Sequence, residues 1–253
     1  MMCVISPAKK LNYKPITLKD KTEVRFKPEM TELVKVLKTK KSSDLMKLMG
    51  ISKALGDLNA QRYQDFDLSL PAIRCKQALF AFNGDVYQGL KADDFDNGDV
   101  KFAQDHLRIL SGLYGLLRPL DMIQEYRLEM GCGLQTPKAK DLYQYWGDKI
   151  SDLLKEDMKK SKDKFLVNLA SEEYFSAIHT NKFKGNLIHV RFEEKRKGEF
   201  QVISFSAKKA RGFMARYIIK NRLTDVKDLK NFSEEKYSYM ASRSKEDQYT
   251  FVR

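Results

Sequence analysis

Four polar side chains, Lys9, Asp85, Glu129 and Lys208, are of the types that run acid–base or Schiff-base chemistry. A lysine and a carboxylate held together out of water shift each other's proton affinity, so that one can act as a base or a nucleophile near neutral pH. The competing reading is a phosphate-binding cleft, in which the same groups hold an anion without transforming it. Other routes to chemistry have less support. No Gly-x-Ser-x-Gly occurs, and Cys3, Cys75 and Cys132 have no histidine nearby in sequence. His106, His179 and His189 lack a ligand spacing such as His-x-x-x-His, so they read as surface or internally satisfied residues, and neither metal nor cofactor is expected. Cys3 sits in an apolar stretch whose burial would keep its thiol protonated, which argues against a peroxide-sensing thiolate.

The most informative local element is Leu45-Met46-Lys47-Leu48-Met49-Gly50-Ile51-Ser52-Lys53-Ala54-Leu55-Gly56, inside residues 42–64. It is similar to a helix-hairpin-helix, a DNA-binding motif in which a glycine-hydrophobic-glycine turn joins two helices. Such a turn presents backbone N–H groups and a helix N-terminus to a phosphate, and so binds without reading sequence. Gly50 would permit the turn, Ile51 would fill the space between the helices, and Ser52 could cap the second one. Lys47 and Lys53 would add Coulombic attraction. Two positions depart from the motif: Ser52 stands at the second glycine, and Asn59 where the second helix usually carries an apolar residue. Gly-Ile-Ser turns also join helices that never meet DNA, so both readings stand.

The net charge of +13 favours polyanionic partners, and its distribution says more. Residues 9–53 hold 13 Lys/Arg against 5 Asp/Glu, and residues 155–222 hold 17 against 8, leaving 17 against 21 elsewhere. Two basic blocks around a slightly acidic middle predict a basic surface built from both ends of the chain; solvated helix faces are the alternative. No run approaches the ~18 consecutive apolar residues of a membrane span. The first residues read as a buried strand without the basic leader of a signal peptide, and the separated cysteines suit a reducing compartment, so a cytoplasmic location is expected.

The elements that must position these groups are of both kinds. Val4-Ile5 predicts a strand, and residues 30–37 a helix, from Met30, Leu33, Val34 and Leu37. Residues 42–64 predict two short helices broken at Gly50. The run 78–82 predicts a buried strand, followed by a helix starting at Asn83-Gly84-Asp85. Residues 107–113 form an apolar run closed by glycines, 141–160 one long amphipathic helix, and 165–169 a strand ending in the small turn Ala170-Ser171. A hairpin is expected over 190–205 around Lys197-Gly198, a basic helix over 207–222 and a second hairpin over 237–251. The order is not a clean βαβ repeat, so the expected class is α+β or mixed α/β, a single compact domain of 253 residues with a mixed sheet and surrounding helices.

Several short blocks, taken in order, resemble the YaaA family of peroxide-stress proteins over essentially the whole chain. They are Ile5-Ser6-Pro7-Ala8-Lys9-Lys10-Leu11, Phe82-Asn83-Gly84-Asp85-Val86-Tyr87-Gln88-Gly89-Leu90, and the stretch from Leu107-Arg108-Ile109 through Gly112-Leu113-Tyr114-Gly115 to Arg118-Pro119-Leu120-Asp121. Tyr126-Arg127-Leu128-Glu129-Met130-Gly131, Asn168-Leu169-Ala170-Ser171 and Ser206-Ala207-Lys208-Lys209-Ala210-Arg211-Gly212 complete the set. The resemblance implies a bacterial protein with a positively charged cleft and a helix-hairpin-helix, linked to survival of hydrogen peroxide, to limiting free intracellular iron and to binding duplex or distorted DNA. On it, the DNA contacts expected are Lys9, Lys10, Arg118, Arg127, Lys208, Lys209 and Arg211, beside Lys47, Gly50, Ile51, Ser52 and Lys53 of the hairpin. A monomer without membrane attachment is expected. Structural readings compete at two of these: Arg118 could bind Asp121 or a helix end, and Arg127 could pair with Glu129. Lys208 and Arg211, three apart, would share a helix face, with Lys209 pointing elsewhere. The alternative function is an enzyme acting on damaged or modified nucleobases in DNA, for which base extrusion needs a pocket.

Overall fold

The computed structural model describes residues 1–69 and 74–253. Strand β1 (Met2–Ile5) is followed by helices α1 (Lys27–Lys38), α2 (Ser42–Met49) and α3 (Lys53–Gln64). Next come β2 (Lys76–Gln77), α4 (Ala78–Ala81), α5 (Asp85–Leu90) and α6 (Asn97–His106), which lead into β3 (Leu107–Ser111), β4 (Gly115–Leu117) and β5 (Met122–Ile123). Helices α7 (Leu142–Trp146) and α8 (Lys149–Lys160) precede β6 (Leu166–Leu169), α9 (Glu172–Phe175), β7 (Leu187–Arg196) and β8 (Glu199–Gln201). Helix α10 (Ser204–Lys220) and strands β9 (Ser238–Tyr239) and β10 (Gln248–Val252) follow. The class is the mixed α/β one expected.

Five strands in the order β3-β1-β6-β7-β10 run parallel, with antiparallel β4 and β9 outside them and β8 folded back on β7. Strands β1 and β3 are buried at every position, as parallel strands covered on both faces must be; β1 is wholly apolar, while β3 also buries Arg108 and Ser111. The chain leaves β1 for β3 on one side and returns to β6 on the other. Strands β1 and β6, paired from Met2↔Leu166 to Ile5↔Leu169, therefore flank the topological switch point. The loops leaving their carboxyl ends diverge there, which opens a crevice suited to a ligand.

Helix α10 lies against α5 with almost no side chain between them. A Cβ on Gly212 would stand 1.9 Å from the Val86 carbonyl oxygen, and one on Gly89 would stand 2.2 Å from that of Lys209. Only glycine permits this approach. It brings the start of α5, with Asp85, beside the first turns of α10, with Lys208 and Arg211.

Three expectations are corrected. Residues 78–81 form the helical turn α4 and not a strand, and Phe82 makes only an isolated bridge with Leu11. A short apolar run does not distinguish the two, and the carbonyls of Pro119 and Asp121 accept the N–H groups of Leu79 and Ala78 at its start. Residues 141–160 form two helices, because Gly147 (φ 45°, ψ −126°) breaks the path. Trp146, just before the break, is fully buried and donates its indole N–H to the Gly112 carbonyl at 3.0 Å. The hairpin at Lys197-Gly198 forms, with both residues at positive φ (51° and 90°) as a tight two-residue turn requires, but its second strand ends at Gln201 and Phe205 already belongs to α10.

Candidate nucleic-acid interface

At the carboxyl ends of β1 and β6 lies a cavity of about 420 Å³, lined by four cations, Lys9, Lys10, Lys208 and Arg211, and two carboxylates, Asp85 and Glu173. Its floor joins the two strands. The backbone N–H of Ser171 donates to Ser6 Oγ at 2.9 Å, and the Ser6 hydroxyl donates to Ser171 Oγ at 3.2 Å. Tyr87 of α5 donates its hydroxyl to the Ser6 carbonyl at 3.2 Å, and burial pushes its proton affinity up, so it stays a neutral donor.

The charged groups divide into held and unheld. Glu173 is held: its Oε1 accepts the Gly131 N–H at 3.0 Å. Lys9 reaches Glu129 Oε1 at 3.3 Å but is otherwise open to solvent. Lys10, Lys208, Arg211 and Asp85 have no partner among the described residues. Arg211 is the most telling of these. It is half-buried, and burial pushes its guanidinium below the ordinary range; Asp85 lines the same cavity but does not pair with it, so no ion pair among the described residues offsets the loss of water. A desolvated, unpaired cation costs folding free energy, and an anionic ligand removes that cost.

Other expected contacts are engaged elsewhere. Arg118 is tied to Asp121, Nη2 to Oδ1 at 2.8 Å and Nε to Oδ1 at 3.0 Å, and to the Glu23 carbonyl. Arg127 grips Glu129 Oε1 through Nη2 at 2.8 Å and Nε at 3.1 Å, while its carbonyl accepts from the Tyr63 hydroxyl. Lys209 turns to the ring of Phe213, 5.4 Å from its centroid. The structural readings of Arg118 and Arg127 are thus the ones realised in this structure.

The Gly50 turn stands apart from the residues lining the cavity. Gly50 adopts the left-handed conformation (φ 60°, ψ 45°), and its N–H closes α2 on the Met46 carbonyl. Ser52 stands at the N-cap of α3, just before Lys53, but its hydroxyl makes no capping bond, and Ile51 is only half-buried. Lys47 and Lys53 are exposed, Lys53 paired with Asp57 at 2.7 Å. Asn59 is fully buried, with its amide donating to the Leu55 carbonyl at 2.8 Å and its Oδ1 unpartnered, which marks the departure from an apolar residue at that place.

Among the described residues, no group of three or more His, Cys, Asp and Glu is gathered as a metal site, and no helix is long and apolar enough to cross a membrane. His106 meets Asp163, His179 meets Asp148 and His189 meets Asn168, three separate places. Cys3 is buried and its thiol is pushed up to about 12 by desolvation.

With this geometry in place, the family model described as peroxide stress protein YaaA matches residues 1–243. The chain belongs to the YaaA family. Apart from Glu173 and Tyr174, the residues that line the cavity of this YaaA-family protein come from four of the blocks that carried the resemblance: Ser6–Lys10, Asn83–Gln88, Ser171, and Lys208 with Arg211. Ser6, Ser171, Glu173 and Tyr87 were not singled out in advance as site residues. The available signal was positional, since Ser6 and Ser171 are each the first or second residue past a buried parallel strand.

Proposed function

We propose that this YaaA-family protein acts in peroxide stress as a cytoplasmic, monomeric DNA-binding protein that protects duplex or distorted DNA and limits free intracellular iron. The observation that carries the DNA reading is the convergence of unpaired Lys10, Lys208 and Arg211, with the exposed Lys9, on one cavity at the switch point of the sheet. Cations without internal partners are the ones free to neutralise phosphates. The exposed Gly50 turn, with Lys47 and Lys53, supports a second, sequence-independent contact to the backbone.

Anisotropy of a labelled duplex titrated over a range of salt tests this. The expected result is micromolar or tighter binding that weakens steeply with salt, and a shallower slope for Lys208→Glu and for Lys47→Glu combined with Lys53→Glu. Salt-independent or absent binding refutes the reading; an unchanged slope for the lysine pair removes the hairpin from the interface.

A second reading, an enzyme acting on damaged or modified nucleobases in DNA, is favoured by the unpaired Asp85 sharing the cavity with Lys208. Mass spectrometry of oligonucleotides carrying oxidised bases, after incubation with the protein, decides it.

A further inference from the structure

We propose that the cavity receives a single nucleotide lifted out of the DNA, and that Phe205 fills the place it leaves. This rests on the DNA-binding reading and adds to it what enters the site and how.

The first argument is size. About 420 Å³ lies within the ~300–1,000 Å³ of pockets that enclose small ligands, whereas the major groove of a duplex is itself ~12 Å wide. A paired duplex can lie across the mouth of this cavity, but only one of its units can enter.

The second is chemistry. Arg211, Lys208 and Lys9 ask for an anion, but Asp85 shares the cavity, has no partner and, as a carboxylate, only accepts hydrogen bonds. A phosphodiester of the backbone has no hydrogen to donate to Asp85 and only repels it. A nucleotide answers both demands, with a phosphate for the cations and amino or hydroxyl hydrogens for the carboxylate. The buried side chains Tyr87 and Tyr174 also line the cavity and supply an aromatic wall for a base.

The third is the rim. Along α10, Arg211, Lys208 and Phe205 follow one another at spacings of three, so neighbours in the series share a helix face. Exposure rises in that order: Arg211 is half-buried, Lys208 is exposed, and Phe205 is 62% exposed, the most open large apolar side chain among the described residues. A phenyl ring held in water one turn from a phosphate-seeking lysine is placed to slide between base steps, as apolar wedges do when a duplex is opened.

The test uses the full chain and a short duplex with one 2-aminopurine, either paired with thymine or opposite a mismatch, measured at saturating protein so that occupancy is equal. Binding is followed separately by anisotropy. The expected result is a severalfold rise in 2-aminopurine emission, larger at the mismatch, which Phe205→Ala abolishes and Phe205→Trp restores. Arg211→Gln should lower the rise by removing the anion partner inside the cavity. Binding by anisotropy with emission unchanged at both sites overturns the proposal while leaving DNA binding standing. An undiminished rise in Phe205→Ala overturns the role of the wedge. Absence of any anisotropy change overturns the DNA reading and this proposal with it.

Discussion

Replacing Gly212 by alanine should both destabilise the protein and impair the cavity. Within an ordinary helix the change is favourable by ~1 kcal/mol, since alanine is the better helix former. Here the added Cβ would stand 1.9 Å from the Val86 oxygen, 2.8 Å from the Val86 carbonyl carbon and 2.9 Å from the Leu90 nitrogen. All three are backbone atoms and cannot swing aside. To restore ordinary contact at 3.4 Å, α5 must retreat by about 1.5 Å. The retreat drags Val86, Tyr87 and Leu90 out of the core and carries Asp85 away from Arg211. Overpacking costs ~1–3 kcal/mol, and a backbone clash this close lies above that range at about 3–4 kcal/mol, so a net loss of about 2–3 kcal/mol remains after the propensity gain. For a chain of this size that lowers Tm by roughly 5–10 °C. Thermal melts by circular dichroism measure it, with Gly133→Ala as the comparison, because a Cβ there meets nothing within 4 Å. DNA affinity, measured below both melting temperatures, should fall for Gly212→Ala alone. A Gly212→Ala protein that melts within a degree or two of the parent refutes the seating of α5 on α10.

Three further outcomes are expected. Arg211→Met should raise the Tm of the ligand-free protein, because an unpaired desolvated charge is replaced by a side chain of similar length, and should abolish the stabilisation that added inorganic phosphate gives the parent; an unchanged phosphate response refutes it. Burial works to raise the Asp157 carboxyl, but Arg108 at 2.6 Å and Arg25 at 2.7 Å hold it below the usual carboxylate range. Its contribution to stability is therefore complete above ~4, the unfolded value, and is lost as pH falls through the lower folded value. Asp157→Asn should cost ~3–5 kcal/mol at neutral pH, leaving Arg108 buried and unpaired, and should flatten the acid dependence of Tm in that window. Finally, burial pushes both Cys3 and Cys132 up to about 12, Glu129 adding to the effect at Cys132, so dimedone should label neither in peroxide-treated native protein and both after urea unfolding.

How much of this was legible in the sequence depends on how local each feature is. Strands β1 and β6 were readable because strands inside a parallel sheet are mostly apolar, whereas residues 107–113 showed only as an apolar run and not as strand β3; the break at Gly50 was readable because a left-handed residue between two amphipathic runs is most easily a glycine. The strand at 78–82 failed because its apolar run is too short to carry a period, and its helical turn is fixed by carbonyls some 40 residues away in the loop holding Pro119 and Asp121. Pairings at short spacing, Arg118 with Asp121 and Arg127 with Glu129, were visible as structural alternatives. The cavity was not, because the strand order that puts β6 beside β1 leaves no local trace. Least visible of all was the isolation of Arg211, which is the absence of a counterion among residues brought near by the fold.

That isolation separates the cations already paired within the fold from those left without a carboxylate partner among the described residues. Arg118 and Arg127 have carboxylates within 2.8 Å, so their charge is already neutralised in the free protein. Removing Arg118 leaves Asp121 without its counterion, and removing Arg127 leaves Glu129 with only the exposed Lys9, so both changes act on stability. Lys208 and Arg211 have no such partners among the described residues, which leaves their charge to solvent ions or to an anion that binds. Counterion release on DNA binding follows the second kind of residue, at about 0.9 in the log–log salt slope for each phosphate neutralised. Arg118→Gln should therefore lower Tm with the salt slope preserved, while Lys208→Gln should lower the slope with Tm preserved. The reverse pattern would mean that the Asp121 pair opens to receive phosphate, and that the cavity at β1 and β6 is not where the backbone is held.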